Sequence, residues 1–369
     1  MKKILYTAPF VKSRYQGGIL KIAEFLSQEN SQRLFGNKNI ELELFNSHYL
    51  NQSKNSDGKF YWENLRQAFS FYSRLKRRIA KDDFALIHLN SSYGLPLIKD
   101  LLIISILRYK TAKPIIFQIH FCGVKETFSK INWIRKTQFY LMEKLKAIIL
   151  LSTNFKDEMV SLGFPSQNLK VLYNFHPYLD EKTIDDFSNF KKLQLLFMGS
   201  IDNRKGILDL LEALVDINIE YELDVAGNFD SDEIEMKCKQ IIDRNKLNVN
   251  FIGYVSGHEK DLLLKKAQIL ILPSYAEGFP MVIPEAMAYG CAILATSIAG
   301  IPEIVIEDKN GILFKPGDTK KIREGLEYLY NNKKVLIKYM SNSLAYSDKF
   351  NLPSYILNLS SIYENVISK

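Results

Sequence analysis

The chain has 369 residues, of which 47% are hydrophobic and 24% are charged, and its formal net charge is +8. That length exceeds what one ordinary hydrophobic core organises, so we expect two domains, and the composition excludes a disordered protein. The three cysteines lie far apart, which excludes a disulfide framework and a zinc-ligand spacing and favours a reducing cytosol.

The sequence contains no segment that would cross a membrane as a helix. Its first residues lack the long apolar stretch and the cleavage site of a secretory leader. The longest apolar run, LLIISIL, lies between Asp100 and Arg108 and falls well short of the roughly 20 residues that span a bilayer. We therefore expect a cytoplasmic protein.

Short apolar runs alternate with longer helical patterns along the whole chain. In the first half these runs are KKILYTAP, FALIHLNSS, KPIIFQIH and KAIILLS. In the second half they are LQLLFMGS, YELDVAGN, VNFIGYV, QILILPS and AILATS. Such runs predict parallel strands buried on both faces and joined by helical crossovers. The two sets predict two doubly wound α/β domains, with the join within residues 171–194, where polar and turn residues interrupt the pattern.

The two halves differ in charge. Residues 1–176 contain 27 Lys and Arg against 13 Asp and Glu, whereas the remaining residues contain 22 against 28. We expect the basic half to face an anionic partner.

Two glycines follow the first predicted strand. Gly17 and Gly18 precede a helical pattern, and paired glycines there let backbone amides approach an anion. The spacing is not that of the dinucleotide fingerprint, and a plain strand-to-helix turn explains the pair equally well.

A basic and aromatic stretch, NLRQAFSFYSRLKRRIAK, covers residues 64–81. Its cations alternate with leucine, phenylalanine and tyrosine, and they include Arg74, Lys76, Arg77 and Arg78. This composition predicts either an amphipathic helix on an anionic membrane or a solvated helix with ordinary core contacts. The sequence contains no nucleic-acid-binding motif, so we do not expect a nucleic-acid partner.

Several polar residues stand at predicted strand ends, where ligands bind in such sheets. His120 ends one strand, and it is either a hydrogen-bonded core residue or a ligand contact. Arg204 and Lys205 precede a helix in MGSIDNRKGILDLLEAL, which predicts a diphosphate site or else a solvated loop. The acidic residues 230–232 are predicted to cap a helix rather than to bind a metal.

The stretch EGFPMVIPEAMAYG places two carboxylates around a turn after a buried strand. Glu285 falls in the first turn of the predicted helix, where it can accept hydrogen bonds from two vicinal hydroxyls such as those of a ribose. Glu277 stands at the front of the loop, and Gly278 allows close approach of a ligand. Taken singly, the two glutamates are also explained as a helix-terminal acid and an exposed loop acid.

Residues 254–318 resemble the donor-binding half of the family-4 retaining glycosyltransferases, which have the GT-B fold. Glu277 and Glu285 match the family's pair of glutamates separated by seven residues, and AGIPEIV, NGILFKPGD and GSIDNRKGILDLLEA match in order and spacing. The first half is more loosely similar, through its GGI loop, His120 and residues 151–175.

The resemblance implies a GT-B architecture of two Rossmann-like domains that face a cleft. The first domain, residues 1–176, would bind the acceptor, and the second, residues 177–350, would bind the nucleotide-sugar donor. Residues 351–369 would form a helix that crosses back to the first domain.

The resemblance also implies roles for single residues. Glu285 would hold the ribose, Glu277 the hydroxyls of the transferred sugar, and His120 the sugar near its reacting face. Lys205 and Arg204 would bind the diphosphate, and Arg204 would replace the arginine that the family usually carries where this chain has Ser200. The other donor-binding positions implied are Gly17, Gly18, Ser200, Ile252, Gly253, Tyr254, Gly278, Phe279, Pro280, Met281 and Val282.

The implied activity is transfer of a sugar, with retention, from a UDP- or GDP-linked donor to a glycan acceptor, and docking of the basic half on a membrane would fit a lipid-linked acceptor. No metal or other cofactor is expected, and the implied setting is surface polysaccharide assembly at the inner face of a bacterial cytoplasmic membrane. Two other functions fit the residues: a non-catalytic partner subunit with the same fold, and a sugar-nucleotide epimerase or phosphorylase of similar architecture.

Overall fold

A computed structural model describes residues 1–8, 18–47, 62–91, 100–101, 103–107, 111–121, 145–178 and 190–368. The chain forms two compact units. The first unit comprises Met1–Tyr173 together with Pro353–Lys369, and the second comprises Asn174–Leu352. Gly17 lies outside the described residues.

Strands and helices alternate along most of the chain. In chain order, the strands are β1 (Lys2–Ala8), β2 (Ile40–Asn46), β3 (Leu86–Ser91), β4 (Ile115–Ile119), β5 (Ala147–Leu150), β6 (Leu169–Val171), β7 (Leu193–Met198), β8 (Tyr221–Ala226), β9 (Val249–Gly253), β10 (Ile269–Leu272), β11 (Ala292–Thr296) and β12 (Gly311–Phe314). The helices are α1 (Gly18–Ser27), α2 (Glu29–Gly36), α3 (Trp62–Lys81), α4 (Thr153–Ser161), α5 (Ile207–Leu214), α6 (Asp232–Asn245), α7 (Gly257–Lys266), α8 (Val282–Met287), α9 (Thr319–Asn331), α10 (Lys333–Ser347) and α11 (Leu352–Ile367). Residues 100–101 and 103–107 are also helical.

Each unit contains one six-stranded parallel sheet. The strand order is β2-β1-β3-β4-β5-β6 in the first unit and β12-β11-β10-β7-β8-β9 in the second. All the neighbouring strands pair in parallel, so crossover segments must carry the chain back between them. The predicted fold class, two α/β domains with parallel sheets, is confirmed.

The sequence pattern did not predict three of the strands, and all three lie at sheet edges. They are β2, β6 and β12. An edge strand is covered less completely than a central one, so its sequence need not form a continuous apolar run. In β2 the sequence alternates as Ile-Glu-Leu-Glu-Leu, and the Glu41 side chain is exposed.

The sheet of the first unit has two different faces. One face carries apolar side chains such as Leu5, Ile87, Leu89 and Phe117, which belong to a single buried cluster. Because side chains alternate along a strand, the residues next to these point to the opposite face. That opposite face combines apolar side chains such as Ile4 and Leu86 with the buried polar side chains of His88 and Asn90.

The polar side chains of this face contact one another and Tyr363 of α11, and we call Tyr6, His88, Asn90, His120 and Tyr363 the polar layer. The Tyr6 hydroxyl donates to Asn90 Oδ1 at 3.3 Å, and His120 Nε2 lies 2.6 Å from the same oxygen. His88 Nδ1 lies 2.7 Å from the hydroxyl of Tyr363 on α11, and the Tyr6 ring packs edge-on against His88. Helix α11 is thereby joined to the sheet by polar contacts as well as by packing.

The sheet of the second unit is apolar on its central strands and supports the loops at their ends. Leu195 and Phe197 of β7 and Leu294 of β11 are buried in one cluster with Leu211 of α5 and Leu326 of α9. Burying such side chains stabilises the fold by about 1.5–3 kcal/mol each. Among the described helices of either unit, none is both long enough and apolar enough to cross a membrane.

The buried His88 makes the stability of the protein depend on pH. Burial and the nearby His120 lower the pKa of His88 from 6.5 to about 3. Between these two values the unfolded chain takes up a proton that the folded chain does not, so the free energy of unfolding falls as pH drops below about 6.5. The slope is at most about 1.4 kcal/mol per pH unit for one such group.

We expect the melting temperature of the wild type to fall more between pH 7.5 and pH 5.0 than that of His88→Gln. The matched control is His258→Gln, since His258 is exposed on α7. Its pH dependence should equal that of the wild type. An equal fall in all three proteins would show that His88 does not contribute.

Candidate functional site

Two loops meet at the carboxyl ends of neighbouring strands in the second unit. Residues 199–206 follow β7, and residues 273–281 follow β10, which pairs with β7. The amide of Tyr275 donates to the carbonyl of Arg204 at 2.8 Å. Gly206 has φ +72°, and a Cβ there would lie 2.1 Å from the carbonyl oxygen of Pro273. Only glycine therefore permits the two loops to approach this closely.

The first loop forms a short 3₁₀ turn, Asn203–Lys205, which Asp202 caps. One Asp202 oxygen accepts from the amide of Lys205 at 2.7 Å, and the other accepts from the Ser200 hydroxyl at 2.8 Å. This turn fixes the direction in which the Lys205 side chain leaves the backbone.

The Lys205 side chain pairs with Glu277 across the two loops. Lys205 Nζ lies 2.5 Å from Glu277 Oε1, and the exposed fractions of the two side chains are 14% and 8%. The Ser274 hydroxyl donates to the same Glu277 oxygen at 2.7 Å, and its carbonyl accepts from Thr296 Oγ1 at 2.8 Å. Two residues that the sequence predicts at a donor site are thus brought into direct contact.

A second buried ion pair involves Glu285. Glu285 Oε2 lies 2.6 Å from Nζ of Lys260 on α7, and the exposed fractions of the two side chains are 4% and 10%. Sequence reasoning missed Lys260. The available signal was its position four residues before the buried Leu264, which places a lysine on the core-facing stripe of α7.

Two tyrosines lie close to this pair. The rings of Tyr178 and Tyr289 pack edge-on with centroids 4.9 Å apart. Burial is the main cause that raises the pKa of both phenols, and the negative charge of Glu285 adds to it. Both hydroxyls therefore stay protonated.

Arg204 lies at the more exposed side of the same loops. About half of its side chain is exposed, and it donates to the carbonyl of Ala276 at 3.2 Å. Arg204 Nη2 also lies 3.4 Å from Asp202 Oδ2, the oxygen that accepts from the Ser200 hydroxyl. The structure therefore places Arg204 beside Ser200, and the predicted compensation for the missing arginine stays a prediction.

The remainder of the second loop is fixed by contacts on both sides. The carbonyl of Gly278 accepts from the amide of Gly300 at 3.2 Å. The carbonyl of Phe279 accepts from Asn174 Nδ2 at 2.8 Å. The buried ring of Phe279 packs against the ring of Phe350. Of the other positions predicted here, Pro280 is buried, whereas Met281 and Val282 are half-buried at the start of α8.

The predicted base-binding residues lie at the end of β9, an edge strand. Ile252 and Tyr254 are exposed large apolar side chains, 42% and 49% respectively. Gly253, between them, has φ +82°, and its carbonyl accepts from the amide of Gly227 at 2.8 Å. Exposed apolar side chains of this kind can pack against a planar hydrophobic group of a ligand.

The first unit carries the other predicted site residues. Gly18 is the first residue of α1 and is exposed. His120 follows β4 and is half-buried at the margin of the polar layer, with its pKa lowered from 6.5 to about 3 by removal from solvent. Its imidazole is therefore neutral at physiological pH.

Helix α3 divides its cations between two environments. Arg78 pairs with Glu43 and Asp82, and Arg74 donates to the carbonyl of Asn46, so these two are directed at the first unit itself. Lys76 and Arg77 are exposed, as is the Phe69 side chain at 72%. Of the four cations predicted to face a membrane or an acceptor, Arg74 and Arg78 thus contact the first unit, and the predicted role of all four stays a prediction.

The acidic segment that follows β8 caps a helix. Ser231 is the N-cap of α6, and its hydroxyl accepts from the amide of Ile234 at 3.4 Å. Within the part of the chain that the structure describes, no group of three or more His, Cys, Asp or Glu residues is arranged to hold a metal ion.

The Lys260–Glu285 pair gives a stability prediction. Lys260→Met leaves a buried carboxylate without its cation, and Glu285→Gln leaves a buried cation, so each should destabilise the protein by about 3–5 kcal/mol. The double variant should recover most of this loss because neither charge remains. The measurement is urea unfolding, with Lys265→Met as the control on the exposed side of the same helix. Single variants as stable as this control would contradict the prediction.

Two family models that match most of the chain describe glycosyltransferases. Residues 180–344 match the family model described as glycosyl transferases group 1, and residues 49–176 match the model described as glycosyltransferase family 4. Among solved structures, that of the Anabaena protein HepE in complex with UDP has a TM-score of 0.74 at 17% identity. It covers 99% of this chain and 100% of that one. This likeness concerns the fold.

The curated relatives have low sequence identity to this chain. An uncharacterised 41.2 kDa protein in the cps region of Klebsiella pneumoniae is 24% identical, over 79% of this chain and 83% of its own length. A Campylobacter jejuni α-1,4-N-acetyl-D-galactosaminyltransferase, named for a diNAcBac-PP-undecaprenol-linked substrate, is 28% identical over 48% of this chain and 49% of its own length. The chain spans about half the length of most of the curated relatives that it matches.

Proposed function

The chain belongs to the family-4 glycosyltransferases of the GT-B fold, and we propose that it transfers a sugar, with retention, from a nucleoside-diphosphate sugar to a glycan acceptor. The observation that carries the proposal is two ion pairs of the second unit: Lys205–Glu277 joins the loops after β7 and β10, and Lys260–Glu285 joins α7 and α8. The signature glutamates of the family are the acidic members of both pairs.

The donor would occupy the loops after β7 and β10. Glu285 would accept hydrogen bonds from the ribose hydroxyls, and Glu277 would accept from hydroxyls of the transferred sugar. Ile252 and Tyr254 would cover the base. UDP is supported as the nucleotide by HepE, which was solved with UDP and, in a second structure, with UDP-glucose.

Lys205 and Arg204 would stabilise the leaving diphosphate. In the transfer, the bond between the anomeric carbon and the diphosphate oxygen breaks, and a bond to the acceptor oxygen forms. The negative charge that develops on the diphosphate is stabilised by cations fixed before the reaction begins. Glu277 holds Lys205 near this position. These two side chains make a metal ion unnecessary in the proposed mechanism.

Retention would follow from attack on the face that the diphosphate leaves. A phosphate oxygen of the leaving group accepts the proton of the acceptor hydroxyl, so no protein nucleophile is needed. Glu277 is engaged by both Lys205 and Ser274 and is better placed to orient a sugar than to attack it.

The acceptor is proposed to be lipid-linked and the protein to dock on the inner face of the cytoplasmic membrane. Exposed Phe69, Lys76 and Arg77 on α3 would contact an anionic surface, with the aromatic ring at the interface and the cations at the head groups. The Campylobacter and Klebsiella relatives favour bacterial surface polysaccharide assembly as the setting.

Donor use is tested by incubating the protein with UDP-, GDP-, dTDP- and ADP-sugars and measuring release of the nucleoside diphosphate. One donor should be hydrolysed slowly, and Lys205→Ala should reduce that rate by about a hundredfold or more because it removes a cation from the leaving group. Glu285→Ala should weaken binding of the same donor. Lys265→Ala, an exposed lysine outside these loops, should behave as the wild type.

The melting temperature measured with the same compounds distinguishes a protein that binds no donor from one that binds a donor but needs an acceptor for turnover. A donor that stabilises the wild type but not Glu285→Ala supports the proposal even without hydrolysis. If no sugar nucleotide or free nucleotide raises the melting temperature, the result contradicts the proposal and favours a non-catalytic partner subunit. Formation of an epimeric sugar nucleotide would identify an epimerase instead.

Membrane docking is tested by sedimentation with vesicles of anionic lipid. Lys76→Ala/Arg77→Ala should weaken binding about thirtyfold, since each cation near such a surface contributes about 1 kcal/mol. The control is Lys320→Ala/Lys334→Ala, which removes the same charge from exposed positions in the second unit. Equal losses in both variants would indicate a general charge effect and contradict docking through α3.

A further inference from the structure

Thr296, the last residue of β11, holds the loop that follows the neighbouring strand β10. Its side chain is fully buried, and Oγ1 donates to the carbonyl of Ser274 at 2.8 Å. Because β11 pairs with β10, this bond joins the end of one strand to the loop after the next. A carbonyl oxygen can only accept, so the hydroxyl of Thr296 supplies the proton, and a valine of similar shape could not replace it.

Ser274 connects Thr296 to Glu277. The Ser274 side chain is also fully buried, and its Oγ donates to Glu277 Oε1 at 2.7 Å. Lys205 Nζ lies 2.5 Å from the same carboxylate oxygen. Among the contacts of the described residues, both polar partners of the Glu277 carboxylate therefore bind Oε1. The carboxylate is held in one direction through that oxygen, and Oε2 keeps its capacity to accept a hydrogen bond.

The turn after β11 holds the same loop on the other side of Glu277. The amide of Gly300 donates to the carbonyl of Gly278 at 3.2 Å. Ala299, the residue before it, has φ +48°, a left-handed conformation that is unfavourable for a residue with a Cβ. Such a backbone persists only where the surrounding contacts determine it, so the position of the Gly300 amide is set by the structure around it. Glu277 thus lies between two points at which β11 and its turn hold the loop.

We propose that Thr296 is a positioning residue, which sets the direction of the Glu277 carboxylate through Ser274. The inference rests on the proposed function for the ligand of Glu277, and on the described contacts for its geometry. All of these residues belong to the second unit. The consequence is selective. A change at Thr296 should affect binding of the part of the donor that Glu277 contacts, which is the sugar, and should spare binding of the nucleoside diphosphate.

The alternative is that Thr296 only stabilises the fold. Removal of its hydroxyl takes a hydrogen bond from the buried carbonyl of Ser274, so the melting temperature should fall in either case. A general loss of structure would weaken binding of the sugar nucleotide and of its nucleoside diphosphate alike. The ratio of the two dissociation constants therefore distinguishes a positioning role from a purely structural one.

The deciding experiment is calorimetric titration of the full chain with the sugar nucleotide that raises its melting temperature most, and with the corresponding nucleoside diphosphate. Thr296→Val should weaken binding of the sugar nucleotide about tenfold more than binding of the diphosphate, which corresponds to the loss of one hydrogen bond. Thr296→Ser keeps the hydroxyl and should restore the wild-type ratio. The matched control is Ser343→Ala, which removes another buried hydroxyl of the second unit that donates to a carbonyl, that of Asn310. Its ratio should equal that of the wild type.

A double-mutant cycle tests whether the effect passes through Glu277. Glu277→Gln should lower the preference for the sugar nucleotide by itself, and Thr296→Val added to it should have no further effect on the ratio. If Thr296→Val does not fold, Ser274→Ala removes the next hydrogen bond of the series and should change the ratio in the same way. An unchanged ratio in the folded variants, or an additive loss in the double variant, overturns the inference.

Unfolding in urea gives a second readout that needs no ligand. If Thr296 determines the position of Glu277, the fall in the urea midpoint of the double variant Thr296→Val/Glu277→Gln should be smaller than the sum of the falls in the two single variants. Additive falls would show that the two side chains are independent and would overturn the inference. If no sugar nucleotide binds to the wild type, the proposed function fails, whereas the urea measurement still decides whether Thr296 and Glu277 are coupled.

Discussion

Pairing of buried charges is the constraint on which the second unit depends. An isolated ammonium or carboxylate is too costly to remove from water, so Lys205 and Lys260 are buried only because Glu277 and Glu285 lie against them. The close approach of the two loops at Gly206 makes the first of these contacts possible. Packing of the sheet below the loops then keeps the four charged groups in place before any ligand arrives.

A site built in this way differs from a row of free charges. The cations and carboxylates are already partly neutralised, so a ligand must offer groups that replace or extend the existing contacts. A nucleoside-diphosphate sugar offers both kinds, since its phosphates attract cations and its hydroxyls donate to carboxylates. An inorganic anion would contact only the cations of the site, and a neutral sugar would donate only to its carboxylates.

The sequence was informative where local pattern determines structure and silent where distant residues meet. Central strands were predictable because burial on both faces leaves an unbroken apolar run, whereas the edge strands β2, β6 and β12 lack that signal. Glu277 and Lys205 were found singly, but 72 residues separate them and no spacing rule predicts their contact. Lys260 was missed because a lysine in a helix is ordinarily solvated. The roles assigned to these side chains stay predictions.

The contact between His88 and Tyr363 has a consequence for synthesis of the chain. These residues are 275 positions apart, yet both belong to the first unit. A ribosome delivers the strands of that unit early and helix α11 at the end, after the whole second unit has emerged. The second unit can fold as one continuous segment, whereas the first unit lacks α11, which packs on one face of its sheet, until synthesis ends. The part of the protein that is made first is therefore the part that is finished last.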